Sequence, residues 1–587
     1  MDDYSIKKHF GGCPHDCPDT CAMIYEVADN KLLSVRGNPD HPMTDGVLCV
    51  KLKDYEKRHY HPDRLLYPHK RVGKKGKKEF ERISWDEALE TITLKWKSLI
   101  NEYGPESIIP YSYLGNQGLV HGLNGGDSFF NALGATVCER TFCGEGSCTA
   151  WLTTIGPTAG LDPESYIHSK YIVIWACNSV STNLHHWTII QEAKKRGAKV
   201  VVIDSYKSRT AKQADWHIEP IPGSDGALAV AIINHIIYND LTDMDYINNH
   251  TNGFDELKEH VKDKNVTAII GKSTPYQLDE NLDKLVSYLV ENSNSKIMNA
   301  FSSGNTFGAI NNLDNVKNLR DFTKNVSSEN TDLLFIVGSD PIGRSVFSNE
   351  IHRIIEDIDN VVCLDLFLHE TSELGNYIIP TSSTLGEKEG TFTNIEFRTS
   401  RIDKLVPSPG QSLSDWEFIS GLSNFCNFNN NIDSLDGLNE LAYQDFDNQD
   451  SPSFKNLDKP SNFDGIINDY QPNISTELNE NLTSKYFVGK KLYGDNITIR
   501  YSDSISILGA KQFIEASEST IEKLNLSSGE CTLKQNGHNV SANYVVNNKL
   551  ADGVIFIPQN RRNFNRFDFS ETIEISPNQS KEALNVN

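Results

Sequence analysis

From residue 171 to about 367 the apolar positions fall into short unbroken runs separated by longer amphipathic stretches. YIVIWA (171–176), KVVVID (199–204), LLFIVG (333–338) and NVVCLDLF (360–367) have the length and β-branched content of strands buried on both faces. Between them, HWTIIQEAKKRG (186–197) and DGALAVAIINHIIYND (225–240) read as helices. Strand, helix and strand in alternation predict parallel sheets covered by helices on both faces, and such sheets bind ligands beyond the carboxyl ends of their strands. Upstream, ISWDEALETITLKWKSLINEYG (83–104) predicts one long helix. Ser84 stands at the N-cap, Ala88, Leu89, Ile92, Leu94, Trp96, Leu99 and Ile100 recur at near-helical spacing, and Gly104 stops it.

The pattern changes twice more. Residues 421–483 are dominated by Asn, Asp and Ser without sustained periodicity, which predicts an extended, partly flexible linker over the surface. Beyond it NITIRY (496–501), GECTLKQN (529–536), HNVSANYVV (538–546) and GVIFIP (553–558) predict strands, hence a β-rich unit over 484–587. At 587 residues the chain is several times the usual domain size, so ample core is available and stability does not require disulfides.

Charge narrows the partners. A net charge of −23, from 79 acidic and 56 basic residues, argues against a nucleic-acid surface. The start, MDDYSIKKHF, has no apolar run of signal-peptide length and no twin-arginine pair, and no window approaches 18 uninterrupted apolar residues. The expectation is a cytoplasmic protein without membrane insertion. Eleven cysteines in a reducing compartment then read as thiols or metal ligands.

Four of those cysteines cluster early, as GGCPHDCPDTC (11–21) followed by LCVK (48–51). Four thiolates can hold a tetrahedral zinc or a [4Fe–4S] cluster. Structural zinc favours two tight pairs, whereas Cys13, Cys17 and Cys21 are three close donors with Cys49 remote, an arrangement suited to a cubane. Zinc and unconnected thiols remain the alternatives on spacing alone.

CPHDCPDTC, RGNPDHPMTDGVLCVK, HPDRLLYP and ERISWDEAL, in that order, are followed by VVIDSYKSRTAKQADWHIEPIPGSDGALA, SELGNYIIPTSSTLGEKEGTFTN and FIEASESTIEKLNLSSGE. This collinear set resembles the molybdopterin-dependent oxidoreductases of the dimethyl sulfoxide reductase superfamily, which includes formate dehydrogenases, nitrate reductases and acetylene hydratase. The resemblance covers all but the Asn-rich linker. It implies a multidomain α/β fold: an N-terminal iron–sulfur domain (1–62), two interleaved parallel-sheet pterin-binding domains within 63–420 (about 116–315, and 63–115 plus 316–420), and a C-terminal β-barrel-like domain (484–587). It further implies a [4Fe–4S] cluster on Cys13, Cys17, Cys21 and Cys49. With it come a bis(molybdopterin guanine dinucleotide) carrying molybdenum or tungsten, a small-molecule substrate and an electron-transfer protein or subunit as partner. Lys51 matches the family lysine between cluster and pterin, where a cation lowers the cost of moving negative charge from one centre to the other.

Cofactor-binding expectations fall on strand ends. Asp204 closes a buried strand and can accept hydrogen bonds from a guanine edge or a ribose, although alone it reads as a helix cap. Ser205, Arg209 and Thr210 follow as donors to phosphate, and Gly223 and Asp225 belong to the matching PGSDGA. The loop ACNSVSTNLHHW offers Asn178, Ser181, Thr182 and Asn183, short polar groups suited to pterin or phosphate. The second half repeats the design with Gly338, Ser339 and Asp340, then Asp365, His369 and Thr371, and GEKEGTFTN adds Glu387, Glu389, Gly390, Thr391 and Asn394. No GxGxxG is present, so a nicotinamide site has no support. In the terminal unit Asn560, Arg561 and Arg562 match residues that close over the pterins in the family.

The family's protein ligand to molybdenum falls on ATVCERTFCGEGSCTAWLTTIG (135–156). Alignment back from Ile155 and Gly156 puts Cys143 in that position, with Cys138 and Cys148 as packed small hydrophobes, and a thiolate suits a soft high-valent metal. Arg140 and Glu145 could orient substrate or exchange protons with it. His121 and Asp127 lie near the expected funnel, His121 reading first as structural. Formate dehydrogenases carry a histidine directly after the ligand and this chain has Gly144, which puts formate oxidation in doubt. LGEKEGTFTNIEFR also resembles the large cluster-bearing subunit of respiratory complex I. A cofactor-free electron-transfer or scaffold role is therefore the non-enzyme alternative to a molybdenum or tungsten oxidoreductase.

Overall fold

The computed structural model describes residues 5–112 (16 excepted), 126, 129–130, 133–138, 163–220, 222, 225–262, 284, 319–320, 333–344, 348–387, 389–394, 399–426, 485–490, 497–509, 513–550, 552–559, 564, 567 and 572–578. The N-terminal unit is an antiparallel sheet of β1 (Lys7–Gly12), β2 (Ala22–Ala28) and β3 (Lys31–Gly37), with β2 in the middle. Alternate residues Met23, Tyr25 and Val27 of β2 face a core that also takes in Cys13, Cys21 and Leu52, together with Leu385, Ile402 and Val406 from far along the chain. The sheet is therefore closed by segments that follow it by more than 300 residues.

A second sheet runs β5 (Phe80–Arg82), β4 (His69–Arg71), β14 (Tyr377–Pro380), β13 (Asn360–Asp365), β12 (Leu333–Val337) and β6 (Ile108–Ser112). Its last four strands are parallel, and β4 and β5 join antiparallel at one edge. The helix expected from Ser84 to Gly104 forms over Trp85–Tyr103 and is α2, following the short α1 (Tyr55–His59). Ser84 Oγ accepts from Glu87 N, and Gly104 takes φ +88° beyond the last turn. α2 lays Ala88, Ile92, Trp96 and Leu99 against Phe335, Val362 and Leu364 of the sheet, and Trp96 stacks on Phe129 at 5.5 Å between ring centres.

A third sheet of β8 (Tyr171–Trp175), β9 (Lys199–Ile203) and β10 (Trp216–Ile218) is wholly parallel, with α3 (Leu184–Lys195) crossing from β8 to β9. α4 (Asp225–Tyr238) follows β10 and packs Leu228, Ala231 and Ile232 on Val201 and Ile203. The strand pair β7 (Val137–Cys138) and β11 (Leu319–Arg320) is also parallel. A two-stranded antiparallel ribbon, β15 (Gly390–Thr393) with β16 (Thr399–Ile402), lies beside β1.

The C-terminal unit is a mixed sheet in the order β17 (Lys485–Lys490), β21 (Val554–Gln559), β18 (Phe513–Ala516), β20 (His538–Val546), β19 (Glu530–Gln535) and β22 (Glu574–Pro577). Among the described residues it has two edges, β17 and β22, rather than a closed barrel. Two further expectations differ. NITIRY was expected as a strand, yet Ile497–Arg500 is a helical turn, with Tyr501 N donating to Ile497 O at 3.2 Å. Four residues are too short for the β-branched preference to outweigh local hydrogen bonding. The expected start of the linker at 421 falls inside α5 (Asp415–Cys426), whose Phe418, Ile419 and Leu422 join the core under α2; residues 427–484 lie outside the described residues. No helix among the described residues is long and apolar enough to cross a membrane.

Candidate functional site

β1 ends at Gly12 and delivers Cys13 into a tight loop. Cys13 N donates to Cys21 O at 2.8 Å, and Thr20 N to Cys17 O at 3.2 Å. Cys49 is brought back by the turn after β3, where Asn38 N donates to Ala22 O and Gly46 N to Asn38 O, both at 2.9 Å. Close backbone approach is needed here: a Cβ on Gly37 would stand 2.1 Å from Gly46 O.

The four thiols feel one another. Burial, reinforced by Cys49, pushes Cys13 up to about 12. Burial first, then Cys13, Cys17, Asp19 and Cys49, holds Cys21 well above the thiol range, and burial followed by Asp19 does the same at Cys17. Lys51, in the 3-10 turn Val50–Leu52 directly after Cys49, works in the opposite direction at both Cys13 and Cys17. Cys13, Cys17, Cys21 and Cys49 are free thiols. Four mutually repelling, largely buried sulfurs within electrostatic reach of one another form a donor set that fits a cationic iron–sulfur core, because metal charge converts the repulsion into ligation.

The loop leans on the carboxyl end of β8. Cys17 Sγ points to Thr182 O at 3.8 Å, and the Asp19 carboxylate pairs with His185 at the start of α3 at 2.9 Å. This joins the cysteine array to the strand-end loop expected to cradle a cofactor. In that loop Asn178 Oδ1 accepts from Thr210 Oγ1 at 2.9 Å, and Thr210 Oγ1 accepts from Val180 N at 3.0 Å, so these two polar residues fix each other. Ser181 N donates to Asn178 O at 2.8 Å. Thr182 Oγ1 donates to Asn178 O at 3.1 Å, and Asn183 is the N-cap of α3, accepting from His186 N. Asn183 Nδ2 is buried without a hydrogen-bond partner among the described residues, a donor left open beside the loop.

Asp204 follows β9. Burial, with a further push from Asp225, raises its carboxyl to about 6 against the hydrogen bond from Tyr206 N. Ser205 is half-buried beside it, Arg209 is exposed, and Asp225 Oδ1 accepts from Trp175 Nε1 at 2.7 Å.

In the other half, Gly338 takes φ +55° after β12 and donates its N–H to Leu364 O, leaving Ser339 and Asp340 facing the loop after β13. There the structure reveals a buried triad that strand-end reasoning missed. His369 Nδ1 lies 3.1 Å from Asp340 Oδ1 and Nε2 lies 3.0 Å from Asp365 Oδ2, while Thr371 Oγ1 donates to Asp340 Oδ1 at 2.6 Å. Burial alone would lower the imidazole, but the two carboxylates outweigh it and raise His369 to about 10. Glu387 is likewise engaged within the protein: Arg64 and His59 bind its carboxylate, Ser383 N donates to it, and it stays below the usual carboxylate range although burial opposes this. Glu389 accepts from Trp416 Nε1 at 3.3 Å, Gly390 and Thr391 are the first two residues of β15, and Asn394 is buried beside Met43.

Cys143, Arg140, Gly223, Asn560 and Arg561 lie outside the described residues, as do His121, Asp127, Glu145, Cys148 and Arg562. Cys138 belongs to β7. Sequence reasoning passed over Asp19 and His185. The acid between the second and third cysteines and the paired histidines of LHHW were the available signals.

Family models and relatives match much of the chain. The Molybdopterin oxidoreductase Fe4S4 domain matches residues 7–61, and Molybdopterin oxidoreductase matches residues 64–425. A Bacillus subtilis protein described as "Probable oxidoreductase YoaE" is 44% identical over 265 residues, 45% of this chain and 39% of that one. The F420-dependent formate dehydrogenase 2 subunit alpha of Methanococcus maripaludis is 27% identical over 490 residues, spanning 70% of this chain and 69% of that one. In fold, acetylene hydratase from Pelobacter acetylenicus is similar with a TM-score of 0.69 at 19% identity, over 94% of this chain and 93% of that chain. With the second match spanning more than half of its length and the cluster-domain match falling on the four-cysteine array, the chain belongs to the molybdopterin oxidoreductase family.

Proposed function

We propose that the chain is the catalytic component of a molybdenum- or tungsten-dependent oxidoreductase that uses bis-molybdopterin guanine dinucleotide. It would pass electrons between a small-molecule substrate and a [4Fe–4S] cluster on Cys13, Cys17, Cys21 and Cys49, with an electron-transfer protein or subunit as partner. The observation that carries this reading is the convergence of four thiols, Cys13 and Cys21 buried and Cys17 and Cys49 partly so, with Lys51 beside them, on the loop at the carboxyl end of β8. That is where a parallel sheet receives its ligand.

When bound, the metal–pterin group supplies the redox reactivity and the cluster a one-electron relay. The chain's own residues supply position and charge. Lys51 offsets negative charge at Cys13 and Cys17, the latter of which touches the strand-end loop. Asn178 and Thr210, bonded to each other, hold the loop after β8 in one shape, and Asn183 Nδ2 offers a donor toward the cofactor. Asp204, Ser205, Arg209, Thr210, Gly223 and Asp225 serve one dinucleotide, and Gly338, Ser339, Asp340, Asp365 and Thr371 the other. Asn560 and Arg561 close over the pterins, Cys143 ligates the metal and Arg140 orients the substrate. Formate is the substrate suggested by the methanococcal relative's name, yet Gly144 lacks the proton-accepting side chain that formate dehydrogenases place after the ligand.

Metal analysis of the full chain purified without oxygen tests the reading. About four irons per chain together with molybdenum or tungsten near one per chain is expected. Iron alone would favour the cofactor-free electron-transfer or scaffold role, and zinc alone would refute the cluster.

A further inference from the structure

Cys21 has a neighbour outside the cysteine array. His185, in the first turn of α3, is buried, and its Nδ1 lies 3.7 Å from Cys21 Sγ and 2.9 Å from Asp19 Oδ2. The same carboxylate oxygen accepts from the backbone N of His185 at 3.1 Å, and the far side of the ring, Nε2, lies 3.1 Å from Val47 O. Asp19 stands two residues before Cys21, and Val47 two residues before Cys49. One imidazole therefore ties together both arms of the array, and three contacts around the ring plane leave it no room to turn. Asp19, Cys21 and His185 also bring one donor atom each within 4.8 Å of the others.

We propose that His185 is a positioning residue for the iron–sulfur cluster: its Nδ1–H, shared between Asp19 Oδ2 and Cys21 Sγ, hydrogen-bonds the ligand sulfur and raises the reduction potential of the cluster. The proposal rests on the reading that the four cysteines hold that cluster. Electron gain places negative charge on the sulfurs, and a donor fixed against one of them stabilises the reduced form more than the oxidised form. Asp19 aims the ring. Without it the ring would be held only through Nε2 at Val47 O, and without His185 the buried Asp19 carboxylate would act on the cluster as an unmasked negative charge, lowering the potential further. Docking of the cysteine loop on α3 is the purely structural alternative, and it makes no demand on potential.

The test is a redox titration of the full chain, purified without oxygen and followed by the electron paramagnetic resonance of the reduced cluster, with iron per chain measured on each sample. His185→Leu removes the donor and keeps the bulk; its midpoint potential is expected to fall with iron unchanged, and His185→Gln, which retains an N–H, is expected to recover part of the shift. An unchanged potential in His185→Leu at full iron content overturns the proposal. If His185→Leu fails to retain iron, the wild-type chain labelled with 15N-histidine decides the question. A histidine nitrogen coupling to the reduced cluster supports the contact, and its absence overturns it. Wild-type protein holding zinc and no iron would instead remove the cluster itself, an outcome read from metal content before any potential is measured.

Discussion

Replacing His369 by Gln strips a cation from between two buried carboxylates. The ring nitrogens sit 3.1 and 3.0 Å from Asp340 and Asp365, whose side chains are 7% and 9% exposed. Raising the imidazole from 6.5 to about 10 corresponds to about 5 kcal/mol in favour of its charged form. An amide carries no charge, so the two buried acids lose the cation between them and keep only neutral donors such as Thr371 Oγ1 and Leu366 N, at a cost of about 3–5 kcal/mol. A pKa raised on folding contributes stability that is fully present below the unfolded value of 6.5 and is lost as the pH rises through about 10. The gap between wild type and His369→Gln is therefore expected to be large at pH 6 and to shrink by pH 9.5. In a multidomain chain a single unfolding free energy is poorly defined, so the assay should be local. Gly343 N and Leu366 N donate to the two carboxylates, at 3.1 and 2.6 Å, and hydrogen exchange of peptides covering them reports opening of these loops. At pH 6 they should exchange about a hundredfold faster in the variant, the equivalent of about 3 kcal/mol. Equal exchange at pH 6, or a gap that widens with pH, would refute the assignment of a charged clamp.

Two simpler substitutions probe the scaffold around the site. Gly37→Ala drives a methyl against Gly46 O, 2.1 Å away on the turn leading to Cys49; repacking should cost about 1–3 kcal/mol and lower the iron content of protein purified without oxygen. Ser84→Ala removes the acceptor for Glu87 N at 3.1 Å, and should loosen the first turn of α2 by about 1 kcal/mol, seen as faster amide exchange there with the rest of the helix unchanged.

Features carried by local spacing were readable from the chain alone. Three cysteines at four-residue intervals and a fourth after Leu48 announce a metal centre, and Ser84 to Gly104 encloses the helix that forms, because cap, apolar stripe and stop are all local signals. The parallel runs at 171–175, 199–203, 333–337 and 360–365 were equally plain, since strands buried on both faces admit few polar residues. Roles that depend on a partner far along the chain were not. Asp365 looks like an open acceptor until His369 and Asp340 are seen on it, and Glu387 until Arg64 closes over it across the fold. Asp19 reads as loop filler without His185. NITIRY failed for the converse reason, a segment so short that its composition says little about the hydrogen bonds it will make.

The pairing of β6 with β12 sets a timetable for biosynthesis. Residues 108–112 must wait for 333–337 before gaining their neighbour, and at about 5–20 residues per second on the ribosome that delay is roughly ten to forty seconds. The wall behind Cys13 and Cys21 is later still, since Leu385, Ile402 and Val406 complete it. Throughout that interval the thiols of the nascent chain lack the wall that buries Cys13 and Cys21 in the finished fold, and they stay exposed to solvent and oxidant for as long as synthesis lasts.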